Sequence, residues 1–270
     1  MKTRSILLTT ISAGLLAGCG VTPTPPASIT SSLNLTGDWV ALAAPSPLGS
    51  TNVPTPVADF VGALQSSKGT VTGTFRALST NFPQCVSFTQ DLTVSGTIDV
   101  NNKVTLTVPI AGGIATITAT IAIPQTYTPG TWQIVGGPCA MPSTSIQMAQ
   151  FAPATGTYTG TLNVVDTTNH LPIAGTATAV TASLQQDTTP NGDGQFPLSG
   201  TIVATGACNA NLTITDEVVS GGLFMQTPPA HPLAFLLFGG ILPAGTPWIG
   251  GFSSYSSCGP QLFTGTLIRQ

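Results

Sequence analysis

From Leu35 onward the chain alternates in steps of two. Thr70, Thr72 and Thr74 interleave with Val71, Gly73 and Phe75, a period that puts hydroxyls on one face of a β-strand and apolar groups on the other. The same pattern predicts strands at Leu35–Val40, Asp59–Gln65, Thr70–Leu78, Leu92–Val100, Val104–Ile110, Ile114–Ile123 and Trp132–Val135. Between them lie turn signals: Ser66-Ser67-Lys68-Gly69, Asn101-Asn102-Lys103 and Gly112-Gly113, residues that tolerate the backbone a tight hairpin requires. Pro45, Pro47, Pro54 and Pro56 mark a long loop after the first strand. A final strand is expected at Phe263–Ile268. The predicted fold is all-β: antiparallel meander barrels or sandwiches.

The second half repeats the first in order. Thr36-Gly37-Asp38-Trp39 matches Thr155-Gly156-Thr157-Tyr158 at an offset of 119, and Ala63-Leu64-Gln65 resembles Ser183-Leu184-Gln185 at 120. Gly73-Thr74 matches Gly200-Thr201 at 127, Cys85 matches Cys208 at 123, and Cys139 matches Cys258 at 119. Drifting offsets with a kept order are what loop insertions produce in a duplicated unit. Two tandem modules are therefore expected, residues 35–150 and 151–270. The alternative is one larger barrel or sandwich to which each repeat gives half. Pairing of Leu35–Val40 with Phe263–Ile268 would mark that alternative.

Composition sharpens this reading. Only 6% of residues are charged while 41% are hydrophobic. Scarce Glu, Lys and Arg argue against helices, whose exposed faces use them. So much apolar content is also unlike disorder. Beyond the first 18 residues the basic side chains are Lys68, Arg76, Lys103 and Arg269, against nine acids, for a net charge near −5. Four bases cannot neutralise a row of phosphates, which argues against nucleic acid as a partner. They also form no basic patch for anionic lipid.

Residues 1–18 have the layout of a signal peptide: Lys2 and Arg4, then the apolar run Ile6–Leu16, too short to span a bilayer as a helix. The run ends in Leu16-Ala17-Gly18-Cys19, which resembles the lipobox of bacterial lipoproteins. That resemblance implies cleavage before Cys19, a diacylglycerol on its thiol and acylation (such as palmitate) of its new amine. The membrane is then a partner through the lipid on Cys19, since several acyl chains give stable anchoring. Gly20, in place of the Asp that commonly retains such proteins at the inner membrane, resembles the outer-membrane default of a Gram-negative host. Residues 19–34, with Pro23, Pro25 and Pro26, read as a solvated tether.

With Cys19 lipidated, four cysteines remain in an oxidising compartment, and they permit three pairings. The repeat favours Cys85–Cys139 and Cys208–Cys258, at separations of 54 and 50 residues. There is no Cys-x-x-Cys, and structural disulfides are preferred over a metal or redox site.

Catalytic signals are thin, and no enzyme, cofactor or resident metal is expected. Neither a metalloprotease helix motif nor a nucleophile elbow nor a phosphate loop occurs. His170 and His231 both read as loop residues. Asp187 to Gly194 has oxygen ligands at alternate positions, as in a calcium loop. However, its Asn191-Gly192 and Asp193-Gly194 pairs read better as a hairpin tip. Pro232–Pro243 is the most apolar stretch after the signal: a strand buried on both faces in the preferred reading, otherwise the wall of an apolar pocket or a lip touching lipid. Gly37-Asp38-Trp39 resembles the Gly-x-Trp opening of calycins, the lipocalin and avidin group. There the Trp closes one end of an eight-stranded barrel and many members hold a small ligand inside. The expected function is a non-catalytic binding module for an apolar small molecule or a surface glycan. The alternative is a structural or interaction protein of the envelope with no pocket.

Overall fold

A computed structural model describes residues 31–43, 58–80, 83–87, 90–124, 126–166, 168, 171–226, 235–241, 247–253 and 261–270. Side chains are described for those outside 224–262, apart from Ser79 and Asp216. The protein is all-β. Its strands are β1 (Gly37–Ala43), β2 (Ala58–Ser67), β3 (Thr70–Thr80), β4 (Asp91–Ile98), β5 (Lys103–Ile110), β6 (Gly113–Thr120), β7 (Thr128–Val135) and β8 (Met141–Phe151). Then follow β9 (Gly156–Val164), β10 (Thr178–Gln186), β11 (Phe196–Gly206), β12 (Ala210–Ser220), β13 (Leu223–Gln226), β14 (Phe235–Ile241), β15 (Pro247–Ser253) and β16 (Gln261–Arg269).

The strands form two closed antiparallel barrels in simple sequence order. In the first, β1 pairs with β2 and closes on β8, with Val40 opposite Ala149. In the second, β9 pairs with β10 and closes on β16, with Leu162 opposite Gly265. The first strand therefore does not pair with the last, as one shared barrel would require.

The alternation read from the sequence becomes the inside and outside of the barrel wall. On β5, Val104, Leu106, Val108 and Ile110 are buried while Thr105 and Thr107 lie at the surface side. The hydroxyls continue from strand to strand, with Thr105 opposite Thr118 and Thr118 opposite Thr131. β-branched Thr suits such a surface because its stiff side chain packs across strands while its oxygen meets water.

Turn chemistry holds as expected. The β2–β3 loop is Lys68-Gly69, with φ of 51° and 80°, the two positive dihedrals of a tight hairpin that matches strand twist. Asn102, at φ 60°, turns β4 into β5. Asp187–Gln195 is the tip of the β10–β11 hairpin. There the Asn191 carboxamide accepts from the backbone N–H of Asp193 at 3.0 Å and of Gln195 at 2.9 Å.

Two features differ from the sequence reading. Leu35 does not start β1; it lies fully buried as a plug across one barrel end, its N–H bonded to Ser66 Oγ at 2.8 Å. β8 runs from Met141 to Phe151, past the expected module boundary at 150. Its Pro142-Ser143-Thr144-Ser145 stretch carries no apolar period, and pairing with β7 is irregular between Trp132 and Ile134. Only the apolar groups at Met141, Ile146 and Met148 tie it to the core.

The repeat survives as geometry. Gly73 faces Leu64 across β2–β3, and Gly200 faces Leu184 across β10–β11. At both glycines a Cβ would overlap a carbonyl of the neighbouring strand, Ala63 or Ser183. Trp39 Nε1–H donates to Leu35 O at 2.7 Å, and Tyr158 O–H donates to Ala154 O at 2.7 Å. Each ring thus fixes the segment four residues before it, and Leu35 and Ala154 are both fully buried.

Candidate functional site

The first barrel has a filled interior. Trp39, Phe60, Phe75 and Trp132 are each 1% exposed or less. The Phe60 ring meets Trp132 edge-on at 5.8 Å and stacks on Phe75 at 6.4 Å. Leu64, Leu106, Ile117 and Ile134 fill the space around them. One end is covered by Leu35, with Leu33 packed against it. Ser31 Oγ–H reaches Asn102 Oδ1 there at 2.6 Å, holding that segment over the β4–β5 turn. The other end carries the Cys85–Cys139 disulfide, Cα–Cα 5.9 Å, joining the β3–β4 and β7–β8 connections. Aromatic rings at this density make a packed core.

Cys208 is disulfide-bonded too, and is 1% exposed. Its partner lies outside the described residues. Cys19, Cys258, His170 and His231 also fall outside them, as do the residues that flank β14 within the apolar 232–243 stretch. Among the described residues, no three His, Cys, Asp or Glu side chains group as metal ligands would.

On the outside, an open groove runs along Thr36, Gln65, Ser66, Ser67, Thr70 and Thr72, and a second borders it at Asn34 and Lys68. The first presents mainly the apolar atoms of these side chains and the second mainly polar ones, with Lys68 the one charged side chain of the two.

The most unusual group in the described structure is Asp38. Alternation along β1 sends Trp39 and Ala41 into the core, so Asp38, Val40 and Leu42 belong to the outer wall. Yet Asp38 is only 2% exposed, because the second barrel covers it. The β12–β13 hairpin turns through Gly221 and Gly222, with φ of 59° and 72°, while Ser220 pairs with Leu223. A two-residue hairpin leaves the N–H groups of its central residues without ladder partners. Both donate to Asp38: Gly221 N–H to Oδ1 at 2.6 Å and Gly222 N–H to Oδ2 at 2.8 Å. Such paired backbone donors suit an anion. Burial nevertheless pushes the Asp38 carboxyl up to about 7, outweighing the hydrogen bonds from Gly222, Gly221 and Trp39 that pull it down.

Around this clasp the fit is close. A Cβ on Gly221 would overlap the Val61 side chain, and Val40, Val61, Ala149 and Phe151 form one buried patch on the outer wall. A second crossing lies at the β10–β11 tip. There Arg76, bonded to Asp91 Oδ1 at 2.6 Å, also reaches Asp193 Oδ2 at 3.6 Å. Gly194 sits so near Thr74 O that a Cβ would stand 2.6 Å away. One end of the second barrel thus rests on the side wall of the first.

Within Gly37-Asp38-Trp39 the sequence alone assigns Asp38 no role. The available signal was a rare acid in an otherwise apolar strand, on the face opposite the closing Trp. Searches against protein-family models, curated proteins and solved structures found no match to this chain.

Proposed function

We propose that this chain is a non-catalytic, lipid-anchored protein of the cell envelope that works through the outer surface of its two coupled barrels. The observation that carries this reading is the filled first barrel. Phe60, Phe75 and Trp132 are buried inside it with their rings in contact, where an eight-stranded barrel has room for either side chains or one small ligand. Of the two functions expected from sequence, this favours the structural or interaction role over an apolar small molecule inside that barrel. A surface glycan is the second reading, supported by the polar groove at Ser31, Asn34, Ser66 and Lys68, whose side chains match sugar hydroxyls.

Anchoring rests on Leu16-Ala17-Gly18-Cys19. Cys19→Ser is expected to block processing and release the protein from the membrane fraction; unchanged processing and fractionation in that variant and under globomycin would refute it. Native mass spectrometry of the purified full chain tests the rest. The expected result is a mass explained by the polypeptide and its acyl groups. An apolar small molecule that co-purifies and is lost on Trp132→Ala would overturn the surface reading.

A further inference from the structure

The two barrels meet through hairpin tips, and one of those contacts is made by a buried carboxyl group. We propose that the clasp of Asp38 by Gly221 and Gly222 is a proton-controlled joint, in which protonation of Asp38 seats the second barrel on the first and ionisation loosens it.

The geometry shows the docked state and fixes what undocking would expose. With the barrels together, Asp38 is shut from water and its two oxygens are held by two glycine N–H groups at 2.6 and 2.8 Å. With the tip withdrawn, Asp38 stands on the outer wall of β1, opposite in direction to Trp39, and water solvates it. An ionised carboxylate is cheap in water and costly when buried without a counter-charge. Among the described residues, the elements packed around it bring no counter-charge. β1, β2, β8, β12 and β13, the elements packed around it, contain no Lys, Arg or His. Their other titratable groups are acids: Asp59 on β2, which accepts the Ala43 N–H at 2.9 Å, and Asp216 and Glu217 on β12. Arg76, on β3, is engaged by Asp91 and Asp193. A neutral carboxyl keeps a lone pair on each oxygen for a glycine N–H, so protonation removes the burial cost while both contacts remain possible.

Linkage gives the direction. A carboxyl whose value rises from 3.8 to about 7 on docking holds more protons docked than undocked. Docking is then tightest below the ordinary value and weakens as pH rises through the raised one. Between pH 5 and pH 8 the docking constant falls by roughly 10²-fold.

Carboxyl-carbon and amide NMR on the full chain tests this. The expected result is that Asp38 titrates near neutrality, that the Gly221 and Gly222 amide signals move with the same midpoint, and that their exchange protection, corrected for intrinsic rate, falls by that factor. Asp38→Asn lacks the proton site and is expected to show pH-independent protection at both glycines. Gly221→Ala drives a methyl into Val61 and is expected to open the joint at every pH. Should the Asn variant fail to fold, the unmodified chain decides. Asp38 titrating near 3.8, or glycine amides equally protected at pH 5 and pH 8, would overturn the proposal. So would an Asn variant with the pH dependence of the parent.

Discussion

The Cys85–Cys139 bridge gives a prediction whose size follows from topology. The bond joins the β3–β4 and β7–β8 connections across 54 residues, so it closes a loop containing β4 to β7. In the chain-entropy account, a loop of that length restricts the unfolded ensemble by about 14 cal/mol/K, or on the order of 4 kcal/mol at 25 °C. Both cysteines are buried, so Cys85→Ala also leaves the Cys139 thiol in an apolar site, which a thiol tolerates well. The loss should therefore approach the loop term. It should fall on the first barrel, because β9 to β16 close without any strand of β1 to β8. Denaturant unfolding followed by hydrogen exchange localises it: amides of β4 to β7 should lose protection, while those of β9 to β12 change by less than about 1 kcal/mol. The reasoning fails if the total loss is below about 1 kcal/mol, or if both barrels lose protection equally. The latter would mean that the two unfold as one cooperative unit.

Two further predictions use the repeat. Tyr158→Phe removes only the hydroxyl that donates to Ala154 O at 2.7 Å and should cost about 1–2 kcal/mol by urea denaturation; a neutral effect would show that the bond does not hold the end of the second barrel. Gly73→Ala would place a methyl against the Ala63 carbonyl across β2–β3 and should lower stability by about 3 kcal/mol or more, measured by thermal unfolding. A change below about 1 kcal/mol would show that the strands part freely at that point.

Strands were legible where alternation was clean. Thr70–Phe75 and Val104–Ile110 carry their inside and outside in the residue types themselves, and Lys68-Gly69 and Asn101-Asn102-Lys103 announce their turns. β8 was not, because Pro142 and three hydroxyl residues break its period, and its place is set by pairing with both β1 and β7. Leu35 looks locally like the start of a strand. Only the closed barrel makes it a plug, held by Ser66 some thirty residues away. The first disulfide was legible through the repeat, which supplied a pairing that the cysteine count alone left open. Asp38 was not legible as a joint, because its partners are 183 and 184 residues away and belong to a backbone turn with no side chain to mark it.

That joint also marks where the two halves stop being equivalent. Gly37-Asp38-Trp39 and Gly156-Thr157-Tyr158 occupy the same place at the opening of each barrel. Trp39 and Tyr158 keep their shared task on the inner face. The outer position differs: Asp38 is buried under the second barrel, while Thr157 is exposed. Asp38→Thr therefore gives the first barrel the outer residue of the second and removes the titrating group without touching Trp39. The carboxyl value is raised from 3.8 to about 7 on burial, so its contribution to stability is full below the lower value and is lost as pH rises through the higher one. Between pH 4.5 and pH 7.5 that loss is on the order of 3 kcal/mol. Urea unfolding at the two pH values, in both proteins, cancels the contribution of every other acid. The parent should lose that much more stability than Asp38→Thr on going to pH 7.5. Equal pH dependence in the two proteins would mean that Asp38 carries the same charge docked and free, and that the asymmetry at this position does not set how the barrels are held together.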